Sequence, residues 1–428
     1  MIPFRGYFRW FLTSLSNRNY RLYYLGQLIS TPGTYMQTVA QAWLILKLTH
    51  SGIALGITTA MQFVPILLFA PFGGLISDRY DKRKLIFITQ SIFALQSLLL
   101  GYLVLTGSVK VWIVAVLAFS YGVVNMIDNP TRQVFVGEMV GKEKLKNALS
   151  LFSILVNISR VVGPALAGIL IATKGIGVCF IVNAFSYTGI LLALIFIKVE
   201  KVYFVQAAKS AREVKNQLFD GMRYIIANPI IRNSIIMMAI IGTLTYEFQV
   251  SLPLIVDFTF HGSASTYASL TAAQGIGAII GGIYLAGQRR MESWMMVISA
   301  LFFGISTLIS AMMPTVTLTI VAILFVGFFY ISFQSLGNTI LQLECIPEMR
   351  GRIMAYWTMA FLGSTSIGGP LIGWIGQHIG PRWGLGIGGI AAVIAAVFGS
   401  VTLTNIKDVV RWKTIPSGYI KLNLSGIN

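Results

Sequence analysis

The chain has 428 residues, 56% of them hydrophobic and only 11% charged, with a mean hydropathy of +0.76. A soluble globular chain carries about 25% charged residues, so this one cannot cover itself with a polar surface and its solvent is lipid. The net charge of +18 would suit nucleic acid, but its distribution along the chain argues against that. Cys179 and Cys345, in or beside apolar runs and without metal-type spacing, argue against a disulfide or zinc framework.

Apolar runs bounded by charge, Gly or Pro predict twelve spans, at 22–46, 52–76, 85–105, 111–134, 146–172, 176–197, 233–257, 265–287, 294–313, 316–343, 351–377 and 382–404. Each can cross a hydrocarbon core of about 30 Å as a helix, the form that satisfies its own backbone in lipid. The expected fold class is therefore an all-α membrane protein. The stretch before span 1, MIPFRGYFRWFLTSLSNRNYR, is basic and aromatic and lacks the uninterrupted apolar core of a cleavable signal peptide.

Span 1 is polar for a membrane helix, with Gln27, Thr31, Tyr35, Gln37 and Gln41 along it. Such residues either line a cavity or bond to neighbouring helices. Span 2 ends in GGLISDRYDKRK, the densest charge in the first half. Span 4 holds Asn125, and its Asp128 and Arg132 stand four apart and so share a face. Arg160 falls near the centre of span 5, where facing lipid is too costly. It either binds an anionic substrate group or pairs with Glu247 or Asp128. The same span carries GPALAG, with Gly163, Pro164 and Gly168.

Residues 198–232 form the one long connection, and REVKNQLFDGMRYII within it reads as an amphipathic helix lying on the membrane surface. This divides the chain into a first six-span unit (1–197), the linker (198–232), a second six-span unit (233–404) and a tail (405–428). Span 7 centres near residue 245, so Glu247 sits about 3 Å from its middle. An ionised carboxylate at that depth should face the bundle interior, paired or protonated. Tyr246 and Gln249 flank it, and Gln334 and Asn338 occupy span 10. Span 8, AAQGIGAIIGGIYLAG, is small-residue throughout, and span 11 carries GPLIG, with Gly369, Pro370 and Gly373. Small residues let backbones approach closely, and Pro bends a helix.

The halves echo each other: the Gly-Pro pairs of spans 5 and 11 are 206 positions apart, and Asn129 and Gln133 match Asn338 and Gln342 at an offset of 209. Such repeats with a central linker mark transporters whose halves rock about a midplane site. Of the 32 Lys and Arg, 27 fall on the side that holds both termini, 4 on the other, and Arg160 within a span. The positive-inside bias puts the basic side in the cytoplasm, where its charge meets anionic headgroups. All three histidines, His50, His261 and His378, fall at the other side.

These features resemble the major facilitator superfamily, and within it the bacterial efflux branch called the drug:proton antiporter-3 family, which holds the enterobactin exporter and the macrolide efflux proteins. The likeness rests on GQLIS and MQTVAQAWLILKLTHS in span 1, GGLISDRYDKRK, DNPTRQVFVGEMVGKEKLKNALSL, NISRVVGPALAG and FQVSLPL. It implies two pseudo-symmetric six-helix bundles. It also makes the loop after span 2 a gate of Gly74, Asp78, Arg79, Lys82 and Arg83. In that gate Asp78 meets the start of span 11 at Gly351 and Arg352, while Asp128 and Arg132 join the basic residues in a relay. The loop departs from the superfamily pattern at Asp81, where Gly is usual, and at Lys82, where Arg is commoner. Glu247 stands where the family pattern often has Asn. The resemblance places Gln27, Thr31, Tyr35 and Gln41 on the cavity wall, with Asn125, Arg160, Tyr246, Gln249, Gln334 and Asn338 as further candidates. Spans 5, 8 and 11 are expected to form the moving seams.

The function expected is secondary active export of an amphipathic organic compound (a drug, macrolide or siderophore), coupled to proton influx through Glu247 and Asp128. A lipid or lysolipid flippase on the same fold is the alternative, and a non-transporting membrane sensor a weaker one. No Walker motif or catalytic His, Asp and Ser cluster is present in the sequence, so neither ATP hydrolysis nor an enzyme is expected. Nor is a cofactor or a metal. The partners expected are a small amphipathic substrate, protons and membrane lipids, with the chain acting as a monomer in a bacterial inner membrane, both termini cytoplasmic.

Overall fold

The computed structural model describes residues 13–198, 211–288, 291–346 and 349–403; their regular structure is all helical, with no strand among them. The first half comprises span 1 (Arg18–Thr49), span 2 (Gly52–Arg79), span 3 (Lys82–Leu105), spans 4 and 5 within one element (Val111–Lys174), and span 6 (Ile176–Phe196). A helix at Ala211–Ala227 leads into the second half. There span 7 is Pro229–Leu244 plus Phe248–Leu254, followed by a π-helical turn at Ile255–Thr259. Span 8 is Ala264–Ala286, span 9 Ser293–Met312 and span 10 Val316–Glu344. Span 11 is Arg350–Thr358 and Thr365–His378 joined by a π-helical turn at Met359–Gly363, and span 12 is Pro381–Leu403. The tail after residue 404 and the start of the linker lie outside the described residues.

Ten helical segments are long and apolar enough to cross a membrane. The two expected spans outside that set are span 1, diluted by its polar residues, and the broken span 11. Both are nonetheless helical over the predicted stretch.

Local chemistry sets the ends. Asn17 accepts from the backbone N–H groups of Asn19 and Tyr20 at the start of span 1, and Ser51 from that of Ala54 at the start of span 2. Each satisfies donors that a helix start leaves open. Asp81 does the same for span 3 by accepting from the Lys84 N–H at 2.8 Å. The departure from the usual Gly in that loop is thus a helix cap. The connection expected between spans 4 and 5 is instead one residue in the left-handed region, Gly141 at φ 72°. Only Gly adopts that geometry cheaply.

The outer surface is apolar, as a lipid-facing one must be: Leu95, Phe185 and Ile283 are 65%, 65% and 70% exposed. Polar groups are gathered inward, the reverse of a soluble protein. On the linker helix Phe219, Met222 and Ile226, one face at helical spacing, are also exposed, the side that can rest in the membrane surface.

Within the first half span 1 packs on spans 5 and 6, and span 3 on span 6; within the second, span 8 packs on span 10 and span 9 on spans 10 and 12. Two seams join the halves: span 2 against span 11, and span 5 against span 8.

Candidate functional site

The seams are closest at the end away from the basic residues, here called the far side. A Cβ on Gly56 would lie 2.3 Å from the Gly369 carbonyl oxygen, and one on Gly373 would lie 2.2 Å from that of Gly52. Backbone therefore touches backbone, and only Gly fits. Along the other seam a Cβ on Gly275 would come within 2.8 Å of the Arg160 carbonyl, and one on Gly168 within 2.9 Å of the Ala268 side chain. Gly163, by contrast, packs inside the first half, against Tyr35 and the Pro32 carbonyl of span 1. The GPALAG stretch thus serves an internal contact and an inter-half seam together.

Side chains complete the far-side closure. Lys47 Nζ reaches Asp257 Oδ1 at 3.1 Å, and His50 Nδ1 lies 3.9 Å from the other oxygen. The Ser51 hydroxyl and the Ile53 N–H donate to Gln377 Oε1 at 2.8 and 3.1 Å. Each contact crosses between halves. None of these acceptors stood out in the sequence, where Asp257 is a lone acid at a span end.

The basic side differs. Asp78 is exposed and has no ion-pair partner among the described residues. Its backbone carbonyl accepts from Lys82 Nζ at 3.3 Å. Arg83 donates to the Leu194 and Ile195 carbonyls at the end of span 6, at 2.6 and 2.9 Å. Arg352 instead pairs with Asp220 of the linker helix, at 3.3 Å. A Cβ on Gly74 or Gly351 would meet nothing within 4 Å. The expected gate residues, with Arg79 exposed beside them, are therefore all near the basic side but not assembled. Asp128 is likewise apart from Lys82 and Arg83. It is fully buried, accepts from Thr89 and Gln90 at 2.5 and 3.0 Å, and pairs with Arg132 at 2.6 Å. Arg132 reaches on to Gln27 Oε1 at 3.4 Å, which also accepts from Thr31 at 3.1 Å.

Between the seams lies a central space. One lobe, about 980 Å³, is bounded by Tyr35 and Arg160 of the first half and by Tyr246, Gln249, Gln274 and Tyr330 of the second. A second lobe, about 960 Å³, is bounded by Gln27, Thr31, Asn129 and Arg132. The lobes share Tyr35, Thr38 and Gln249 as wall residues. Gln37 and Gln41 bound a smaller recess beside them, where Gln37 accepts from Ser97 and Asn183. Asn125, Gln334 and Asn338 are half-buried and not on these walls; Asn338 accepts from Gln342. Thr38, Gln62, Gln274 and Tyr330 are wall residues the sequence did not single out. Their cue is a polar side chain in an apolar span.

Arg160 donates through Nε to the Tyr35 hydroxyl at 3.3 Å, and its guanidinium carbon lies 5.8 Å from the centre of the Tyr330 ring. It pairs with neither Glu247 nor Asp128. Tyr246 packs edge-on to Tyr330 and Phe361, with centroids 4.7 and 5.1 Å away, the favoured aromatic geometry.

Glu247 occupies the break in span 7, between Leu244 and Phe248. It is 2% exposed and turns away from the central space into span 11. A Cβ on Gly368 would lie 2.8 Å from its Oε1, and one on Gly369 3.6 Å from its Oε2. Neither oxygen meets a donor in hydrogen-bonding geometry, though the Thr365 hydroxyl is near. The break was not expected from the sequence.

A family model described as transmembrane secretion effector matches residues 11–420. The staphyloferrin A transporter of Staphylococcus aureus is 24% identical over 328 residues, covering 76% of this chain and 81% of its own length. The enterobactin exporter of Citrobacter koseri is 23% identical and covers 93% and 95%. Among solved structures, a bacterial homologue of the human lysosomal transporter Spinster superposes at a TM-score of 0.70 with 16% identity, covering 93% of this chain and 99% of its own. A D-xylose–proton symporter gives 0.70 with 13% identity, covering 92% and 98%. The chain belongs to the transmembrane secretion effector family of the major facilitator superfamily. It is a multi-pass membrane transporter of a small molecule and not an enzyme.

Proposed function

We propose that this member of the family is a secondary active exporter of an amphipathic organic compound, working by alternating access and coupled to proton influx. The observation that carries this reading is the asymmetry of closure. The far side is sealed by backbone contact and by Lys47–Asp257, while Asp78 and Arg352 on the basic side are parted. A central space with polar and aromatic walls lies between. This is one end state of a rocking cycle; in the other, Asp78 meets the span 11 start near Gly351 and Arg352 and the far side opens.

The basic side is assigned to the cytoplasm of a bacterial inner membrane, with both termini there. The two six-span units, 1–197 and 233–404, move as the rocking bodies, and residues 198–232 tether them. Proton coupling is assigned to Glu247, with Asp128 as a secondary candidate. An isolated buried carboxyl must be neutral or find a partner, and Glu247 lies where a helix break meets the moving seam. The chain works as a monomer in contact with lipid. The likeness to a staphyloferrin A transporter and an enterobactin exporter favours export of a siderophore-like compound over lipid flipping.

The test is uptake into inside-out proteoliposomes under an imposed pH gradient with the voltage clamped at zero. Wild type should accumulate substrate, and collapsing the gradient should abolish accumulation. Glu247→Gln should lose the gradient's effect. Unchanged transport without the gradient overturns proton coupling, and movement of labelled lysolipid alone would replace export with the flippase reading.

A further inference from the structure

We infer that the transported compound is an anion, and that Arg160 is the receptor for its carboxylate or equivalent planar acidic group. This deepens the export reading and rests on its central space. The walls of both lobes hold two arginines and no Asp or Glu. Arg132 is already neutralised by Asp128 at 2.6 Å. Glu247, next in sequence to the wall residue Tyr246, points into span 11. Arg160 is left without a carboxylate in reach among the described residues.

A guanidinium stays protonated in a protein, and a charge without a counter-ion within a membrane bundle is costly. Arg160 is nevertheless held in place. Its Nε donates to Tyr35, and its guanidinium carbon lies 5.8 Å from the centre of the Tyr330 ring. The Tyr35 bond uses Nε alone, and the Tyr330 hydroxyl lies beside the guanidinium. A guanidinium held through its Nε by a neutral hydroxyl keeps its charge for an anion, and its N–H fork matches a carboxylate bidentately. Tyr246 and Phe361 extend the aromatic surface beside Tyr330, so an apolar or planar body attached to the anion has a wall to lie on. A cationic ligand meets repulsion here, and a neutral one leaves the charge unmet.

The experiment is ligand binding to the purified full chain in detergent, which needs neither export nor proton coupling. The probes are three pyrenes of matched length: 4-(1-pyrenyl)butyrate, its neutral primary amide, and 4-(1-pyrenyl)butylamine, followed by fluorescence. The butyrate should bind about tenfold more tightly than the amide, the scale of a charge-assisted hydrogen-bonded pair, and the amine more weakly than either. Arg160→Gln should lower butyrate affinity far more than amide affinity, so that the preference for butyrate over the amide is lost. Arg160→Lys, which keeps the charge but loses the fork, should retain part of the preference. Equal or tighter binding of the amine by wild type overturns the proposal, and so does absence of binding by all three probes. An undiminished butyrate preference in Arg160→Gln overturns it as well. If Arg160→Gln does not fold, the wild-type ranking and Arg160→Lys decide. Anion preference without pH-driven transport would leave this inference standing and overturn the coupling; transport of cations by a coupled chain would do the reverse.

Discussion

Lys47 and Asp257 come from different halves of the chain, and their side chains meet at 3.1 Å across the far side of the molecule. Lys47 is 44% exposed, and an exposed pair of this kind contributes about 0–1 kcal/mol. The contact is thus weak enough to break once per cycle. Asp257→Asn should raise the labelling rate of a cysteine placed at Ser51 by up to about fivefold. A rate equal to that of the parent would remove Lys47–Asp257 from the closure.

The glycine seam is the stronger barrier, because no rotamer change makes room for a side chain against backbone. Gly56→Leu or Gly369→Leu should hold the far side open, so that the Ser51 position labels fully and transport stops. Normal transport by either variant would show that the two helices separate at that point without needing to close.

The Asp128–Arg132 pair shows what removing one partner does. Asp128→Ala strands Arg132 in the interior, and loss of one partner from a buried pair costs about 3 kcal/mol or more. The thermal midpoint in detergent should fall clearly. The double variant Asp128→Ala/Arg132→Met should recover most of it, since well-packed apolar residues can replace a buried pair. A double variant no more stable than the single one would mean that Asp128 acts through Thr89 and Gln90 instead.

Glu247 should behave in the opposite way. It has no ion-pair partner to strand among the described residues, so Glu247→Gln should unfold no earlier than wild type while losing its response to a pH gradient. A large fall in thermal midpoint would recast Glu247 as a structural residue.

At the basic side, Asp220→Asn should free Arg352 from the linker helix and favour its meeting with Asp78. The expected sign is slower labelling of a cysteine at Gly74, reversed by Asp78→Asn. Labelling that ignores both changes would separate the linker from the gate.

The architecture was legible in the sequence because lipid leaves the chain few options. Twelve apolar runs, a polar span 1 and a charge asymmetry each follow from the cost of bare backbone or charge in hydrocarbon. The repeat added the matching positions of spans 5 and 11. Placement of the isolated charges was only half legible. The price of burying Glu247 and Arg160 says that both face inward, but not which interior each enters. One meets a glycine pair and the other a tyrosine, and those neighbours come from distant spans. The far-side latch was illegible, since Lys47 and Asp257 look like ordinary span ends until the halves are placed together. Asp81 was misleading in a different way: it breaks a family pattern yet does the everyday work of a helix cap.

Walls free of carboxylate also decide which way electrical work flows. A carboxylate carried from the cytoplasm outward leaves a negative compartment, gaining about 2.3 kcal/mol per 100 mV, while Arg160 stays behind as fixed charge. A proton entering gains the same amount in the other direction. Both ions then discharge the membrane voltage with the same sign, so each turnover is electrogenic by two charges. Voltage alone, with no difference in acidity, should still drive the cycle.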